Sequence, residues 1–431
     1  MFKIIGMTKL IWKLFKIVLT LLLAFLMYVV IGGVVPFLHH PDVSQTKKEA
    51  VESTQFYSDS AGPDRATIIE DNEEALKMRL RVIKDAKKTL ILSTFDFRSD
   101  DAGKDVLAAL LNAADRGVKV EIFADGFNSI IQMENNDYFY ALSSNKNIKI
   151  IIYNQVNILI PWNGLGRMHD KYVIADDSLY ILGGRNTFGY FLGDYAGHKN
   201  YDRDVLVYNT GSKDSSIYQI KDYYKKITSQ KCCSVFHYNE SLGEKNSVKK
   251  AEQELKNRYE SLENKYDKFL AENYDYKANT YETNKINLLS NPTSLYAKQP
   301  TVYYGLMYLA KNAKKEVKIH TPYIICNDYM YNELKNIKVP TTIMTNSAEN
   351  NGNIFGAVDY LNHKKDIINT GVTIKEYEGG ISYHGKSMTI DDDIAIVGSF
   401  NMDMRSAYLD TELMLVIRSR EINRQLEEGM M

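Results

Sequence analysis

The sequence predicts an α/β protein: two α-β-α sandwich units with mixed β-sheets, related by a pseudo-twofold axis and preceded by one transmembrane helix. Three observations carry this reading. A short pattern of chemically informative residues occurs twice. Strand and helix patterns alternate ahead of it, as in a sheet covered by helices. An apolar run near the N-terminus exceeds the roughly 20 residues that cross a bilayer.

Residues 17–38 are apolar apart from Thr20 and Tyr28. Lys3, Lys9, Lys13 and Lys16 precede this run, and His39, His40 and Asp42 follow it. The positive-inside rule puts residues 1–16, a basic segment, in the cytoplasm and the rest of the chain outside. No Ala-x-Ala-like site follows cleanly, so 17–38 reads as an uncleaved single-pass anchor in the cell membrane. Residues 39–64 are polar and mixed, and are expected to form a tether. The first unit is expected over 65–239, with a helix at 72–86, a strand at 89–95, a helix at 103–115 and a strand at 118–124.

The second unit, 285–431, opens the same way. Ala-Lys-Lys-Thr-Leu-Ile-Leu-Ser-Thr at 86–94 has a counterpart in Ala-Lys-Lys-Glu-Val-Lys-Ile-His-Thr at 313–321. The offset between these stretches nearly equals the offset between the two copies of the pattern, which indicates repetition of a whole unit. His320 aligns with Ser93 and is read as a sheet or rim histidine. Between the units, 240–284 is rich in Lys, Glu, Asn and Tyr and reads as a charged helical insertion. Leu255, Tyr259, Leu262, Tyr266 and Leu270 recur at three and four, a stripe expected to pack on the body.

The repeated pattern is His169-x-Lys171-x4-Asp176-x6-Gly183-Gly184-x-Asn186, and again His384-x-Lys386-x4-Asp391-x6-Gly398-Ser399-x-Asn401. Each copy reads as a β-hairpin, with strands at 168–175 and 179–184 in the first and at 388–390 and 394–398 in the second. The aspartates open the turns. Side chains two apart on a strand share a face, so each histidine points with its lysine. Alternation sends Asp176 and Asp391 to the other face or into the turn, where they support the hairpin. Gly184 and Ser399 end the second strands and let backbone approach a ligand, although only the second copy has a hydroxyl there. Asn186 and Asn401 can then donate amide hydrogens.

Two such hairpins face to face gather two histidines, two lysines and two asparagines. That set suits a phosphodiester and calls for no metal or other cofactor. The lysines and amides hold non-bridging oxygens as charge develops. One imidazole attacks phosphorus and forms a phosphohistidine. The other protonates the leaving alcohol and deprotonates the incoming one.

This doubled pattern resembles the phospholipase D superfamily. Gly398-Ser-Phe-Asn-Met-Asp-Met-Arg-Ser406 with Asp410-Thr-Glu412 is similar to the second motif of bacterial cardiolipin synthases, as is Gly183-Gly-Arg-Asn186 with Asp202-Arg-Asp204. The resemblance spans roughly 65–420 outside the insertion. It implies a covalent intermediate; family habit favours His169 as nucleophile and His384 as acid/base, while the pseudo-twofold symmetry leaves the exchanged roles open. It also implies an acidic residue after each motif that orients a histidine, at Asp204 and Glu412. Many relatives have Asn where Asp410 stands, and many bacterial cardiolipin synthases carry two N-terminal spans.

The 431 residues carry a net charge of −1, so no basic field points to nucleic acid. Three cysteines, with no Cys-x-x-Cys, make no disulfide framework. Four functions compete: phosphatidyl transfer to a lipid alcohol, hydrolysis of headgroups, cleavage of nucleic-acid phosphodiesters, and non-enzymatic scaffolding at a membrane. The anchor and the near-zero charge favour phospholipids as partners; the resemblance favours transfer. Ile-Leu-Ile-Pro-Trp at 158–162, just before the first motif, reads either as a packed loop or as an element that dips into the membrane interface. Both half-sites lie in one chain, which leaves oligomeric state open. The whole reading requires the rings of His169 and His384 to meet across one cleft.

Overall fold

The computed structural model describes residues 2–237, 240–271 and 273–430; the boundary expected at 239 lies outside them. The chain opens with α1 (Phe2–Val34) and α2 (Gln45–Glu52). The first half continues through β1 (Asp64–Ile69), α3 (Asn72–Asp85), β2 (Thr89–Thr94), α4 (Asp101–Asp115), β3 (Lys119–Asp125), α5 (Gly126–Gln132), α6 (Asp137–Ser144) and β4 (Ile148–Tyr153). Then come β5 (Tyr172–Ala175), β6 (Leu179–Gly183), β7 (Asn200–Tyr201), β8 (Asp204–Asn209), α7 (Ile217–Thr228) and β9 (Cys233–Val235). The connection holds α8 (Glu240–Gly243), α9 (Asn246–Lys265), α10 (Asp267–Ala271) and β10 (Tyr281–Glu282). The second half begins with β11 (Lys285–Ser290), α11 (Thr301–Lys311), β12 (Val317–His320), β13 (Ile324–Ile325), α12 (Asp328–Lys335), β14 (Thr341–Asn346), α13 (Ile354–Asn369) and β15 (Thr373–Tyr377). It ends with β16 (Ser382–Tyr383), β17 (Ser387–Ile390), β18 (Ile394–Gly398), β19 (Met402–Asp403), α14 (Met404–Tyr408), β20 (Leu413–Arg418) and α15 (Arg420–Met430).

The first sheet has the order β10-β1-β8-β6-β5-β2-β3-β4-β9, and the second β11-β20-β18-β17-β12-β14-β15. Matched from β1 and β11 onward, seven strands correspond one to one, with three parallel strands beside antiparallel hairpins in each sheet. Register agrees as well. Ser93 pairs with Tyr172 and His320 with Ser387, each partner lying three residues after its motif histidine. The strand β2 is buried from Leu90 to Thr94, as expected of a parallel strand covered on both faces. Outer helices pack on each sheet. Between the sheets lie α7, through Ile217 and Ile220, and α15, through Ile422 and Leu426. Each half is thus an α-β-α sandwich, and the two share their inner layer.

The motif aspartates anchor the hairpins. Asp176 and Asp391 sit at the turns with φ of 53° and 52°. The Asp176 carboxylate accepts the backbone N–H groups of Lys87, Lys88 and Thr89, each at 2.8 Å. Asp391 does the same for Lys314, Lys315 and Glu316. Each hairpin is thereby clamped to the start of the strand beside it.

Three stretches differ from expectation or sharpen it. The strand predicted over 168–175 starts only at Tyr172. Met168 leaves the ladder to bridge Thr411 of the other half, which pulls His169 and Lys171 out of the regular sheet. Residues expected to form a free tether are docked. Val43, Val51 and Phe56 join the second-half core, and the Ser44 N–H donates to Gln299 at 2.9 Å. Sparse apolar residues among polar ones do this, a pattern that average polarity hides. The insertion stripe from Leu255 to Leu270 is buried in the first-half core, where α9 covers α4 and α6.

The helix α1 is apolar and long enough to cross a membrane, and its side chains from Leu10 to Val34 are largely exposed. Toward its C-terminal end it meets the loop before the first motif. The Tyr28 hydroxyl donates to the Leu159 carbonyl at 2.9 Å, and its ring meets Trp162 edge-on at 6.4 Å. Gly32 lies against Pro161 so closely that a Cβ would have to displace the proline ring.

Candidate active site

The strands β2 and β3 run parallel, and β5 returns antiparallel to β2, so residues just before β5 sit at the C-terminal rim of the sheet. That rim is where open α/β sheets bind ligands. His169 and Lys171 lie there, and His384 and Lys386 occupy the matching place before β17. Three contacts bring the two rims together. Met168 bridges Thr411, β7 pairs with β16, and the His384 N–H donates to the Tyr201 carbonyl at 2.6 Å.

Each imidazole is held by a carboxylate from the opposite half. His169 Nδ1 lies 2.9 Å from Glu412 Oε1, and His384 Nδ1 lies 2.6 Å from Asp202 Oδ2. Phe95 packs edge-on to the His169 ring and Phe191 to the His384 ring, each at 5.1 Å. Lys171 Nζ donates to the His169 carbonyl at 2.5 Å, and Lys386 Nζ donates to the His384 carbonyl and lies 3.0 Å from His384 Nε2. The side chains of Asn186 and Asn401 are buried beyond the hairpins, and both amide oxygens lack a protein partner.

The one difference between the two copies has a structural counterpart. The Ser399 hydroxyl donates to Glu412, the carboxylate that holds His169. At the equivalent Gly184, a Cβ would collide with the Asp202 carboxylate. Serine with the longer glutamate, and glycine with the shorter aspartate, are two ways to seat an acid behind an imidazole.

Asp204 corrects an expectation. It does not orient a histidine; it forms buried ion pairs with Arg79 at 2.9 Å and Arg185 at 3.1 Å. Asp204 opens β8 beneath α3, whereas Asp202 stands just before the strand, at the rim. Sequence reasoning missed Asp202. Its signal was the bare glycine at 184, which leaves room for a carboxylate. Glu412 is where it was expected, beside His169.

Burial sets the charge states. It holds His169 well below the usual histidine range, helped by Lys171. His384 is brought down to about 4 by burial and by Lys386, against the pull of Asp202. Burial also lowers Lys171 to about 7 and Lys386 to about 8. It raises Glu412 to about 8. Burial works against the charge on Asp202, yet Lys386 and His384 bring it down to about 2. At neutral pH both imidazoles are therefore uncharged, with a lone pair available. The two lysines carry their charge at a disadvantage, which an entering anion would relieve. A cavity of about 340 Å³ opens on this cluster, lined by Arg98, Asn186, Tyr323, Asn353 and His384 among others.

A family model described as "Cardiolipin synthase, PLD-like domain" matches residues 80–227 and 306–430. An uncharacterized protein of Helicobacter pylori (strain ATCC 700392 / 26695) is 27% identical over 387 residues, 80% of this chain and 74% of its own length. Cardiolipin synthase 1 of Staphylococcus aureus (strain MRSA252) is 25% identical over 366 residues, 83% of this chain and 64% of its own. Cardiolipin synthase B of Salmonella typhi is 25% identical over 374 residues, 84% of this chain and 78% of its own. Among solved structures, the phosphatidylserine synthase of Haemophilus influenzae Rd KW20 superposes with a TM-score of 0.58 at 15% identity, covering 89% of this chain and 90% of that one, which attests the shared fold. The matched segments cover more than half of the sequence and hold one histidine motif each, so the chain belongs to the cardiolipin synthase, phospholipase D-like family.

Proposed function

We propose that the protein is a membrane-anchored phosphatidyltransferase of cardiolipin synthase type, acting through a covalent phosphohistidine. The observation that carries this is the pair of neutral imidazoles, each braced by a carboxylate from the other half and flanked by a buried lysine. His169 Nε2 attacks phosphorus, and the bond from phosphorus to the leaving alcohol breaks. His384, charged once the substrate anion offsets Lys386, gives its proton to that oxygen. Glu412 in its ionised form, which a charged Lys171 favours against burial, accepts from His169 Nδ1–H and stabilises the charged phosphoimidazole. His384 then takes the proton of an incoming alcohol, whose oxygen attacks phosphorus as the P–N bond breaks. Lys171, Lys386, Asn186 and Asn401 hold the non-bridging oxygens throughout. His384 borders the open cavity while His169 is more deeply buried, which suits the first to proton exchange and the second to covalent work.

Labelled phosphatidylglycerol tests this. The expectation is acid-labile label on the protein, and new cardiolipin in extracts of membranes bearing the wild type but not His384→Ala. Phosphatidic acid in its place assigns water as acceptor and overturns transfer. Absence of label and of lipid change overturns the enzymatic reading. Because lysines rather than a cation hold the phosphate here, turnover is expected to persist in excess chelator. By the positive-inside rule, Lys9, Lys13 and Lys16 ahead of the apolar run support a cytoplasmic N-terminus with the catalytic body outside, to be tested by protease access to the body in intact cells.

A further inference from the structure

The rim of the first half carries an apolar surface that the chemistry above does not use. In the loop at 154–166, Ile158 is 59% exposed, Leu159 65% and Trp162 39%. On α5, Phe127 is 52% exposed, Ile130 41% and Ile131 58%. The two segments adjoin: a Cβ at Gly126 would strike the backbone of Asn154 and Gln155. Neither 126–133 nor 154–166 contains a charged residue. A contiguous exposed apolar surface of this kind marks a contact site.

Its depth relative to α1 indicates the partner. The loop touches α1 at Tyr28 and Gly32, both inside the apolar run. Tyr28 lies roughly 9 Å before the helix end, at about 1.5 Å per residue. A bilayer that holds α1 therefore reaches the loop as well. Tyr28 and Trp162, in contact, are the side chains that favour the headgroup boundary. The same surface adjoins the active site. The Asp125 carboxylate accepts the Phe127 N–H that starts α5, and also the N–H of Met168, the residue before His169. The other half repeats the device: α13 follows β14 as α5 follows β3, and exposes Ile354 (77%) and Phe355 (84%) next to the cavity-lining Asn353.

We propose that α5 and the loop at 154–166 insert into the headgroup boundary of the bilayer that holds α1, so that the site opens at the level of lipid headgroups. This rests on α1 being a span and on the lipid-substrate reading. The test uses full-length protein in phosphatidylglycerol–phosphatidylcholine vesicles with brominated acyl chains. The sequence has two tryptophans, Trp12 and Trp162. Trp12→Phe leaves Trp162 to report on the loop; with both tryptophans replaced by Phe, Leu22→Trp reports on the apolar run of α1 and Phe127→Trp on α5. Blue-shifted, bromine-quenched emission from all three supports the proposal. A quenched indole at 22 with the indole at 127 still emitting as in water overturns the rim while leaving the anchor. An unquenched indole at 22 overturns the span and the proposal with it. Lipid turnover measured on the same vesicles is a separate readout, so loss of the catalytic reading is told apart from loss of the docking surface.

Discussion

At the scale of single residues, the two aspartates that follow the first motif have different roles. Asp202→Asn is expected to lower turnover by roughly 10²–10⁴-fold with little change in melting temperature, because its side-chain partners are the site residues His384 and Lys386. Asp204→Asn is expected to lower stability first, since it breaks two buried ion pairs with Arg79 and Arg185. Kinetics beside thermal melts separate the two. Gly184→Ser, which makes the first copy read like the second, should displace Asp202 and depress turnover like Asp202→Asn. If its activity is unchanged, the Gly–Asp pairing is not needed. Acid stability follows from His384. Its value in the fold is lowered from 6.5 to about 4, so its contribution is complete above 6.5 and is lost as pH falls through about 4. Melting temperature should decline over that window, and His384→Gln should flatten the decline. The histidines and lysines were legible because their spacing recurs, and Glu412 through the resemblance of its motif to bacterial cardiolipin synthases. Asp202 was not, because the residue that betrays it is a missing side chain.

At the scale of elements, the hairpin and its clamp are the repeated device. Removing the Asp176 carboxylate leaves three backbone N–H groups at the start of β2 without their acceptor. Asp176→Ala should therefore cost about 1–3 kcal/mol in a denaturant titration while turnover per folded molecule holds. The alternation of strands and helices was legible from periodicity, and so was the buried stripe of α9. The docking of residues 43–56 was not, because three scattered apolar side chains carry no period. Nor was the early end of β5, which depends on a partner residue, Thr411, far along the chain.

At the scale of the molecule, Arg203 ties the halves together. It pairs with Glu70, reaches Ser387 at 2.9 Å and His320 at 3.0 Å, bonds the Gly429 carbonyl and lies over Tyr383. Arg203→Met should lower the melting temperature and separate the unfolding of the two halves, visible as a broadened or split calorimetric transition. A single sharp transition would mean that the shared core between the sheets suffices. Two units and a common cleft were legible from the duplicated motif. Which half braces which histidine was not, since sequence order says nothing of a crossing.

That crossing bears on how such a chain changes over generations. Duplication ordinarily frees one copy to drift. Here each copy carries the brace for the other's imidazole, so a lesion in either repeat is felt at the opposite ring. The repeats are thus coupled across the cleft by their braces, while inside each repeat the small residue must suit its own acid: a serine moved alone to position 184 would meet the Asp202 carboxylate.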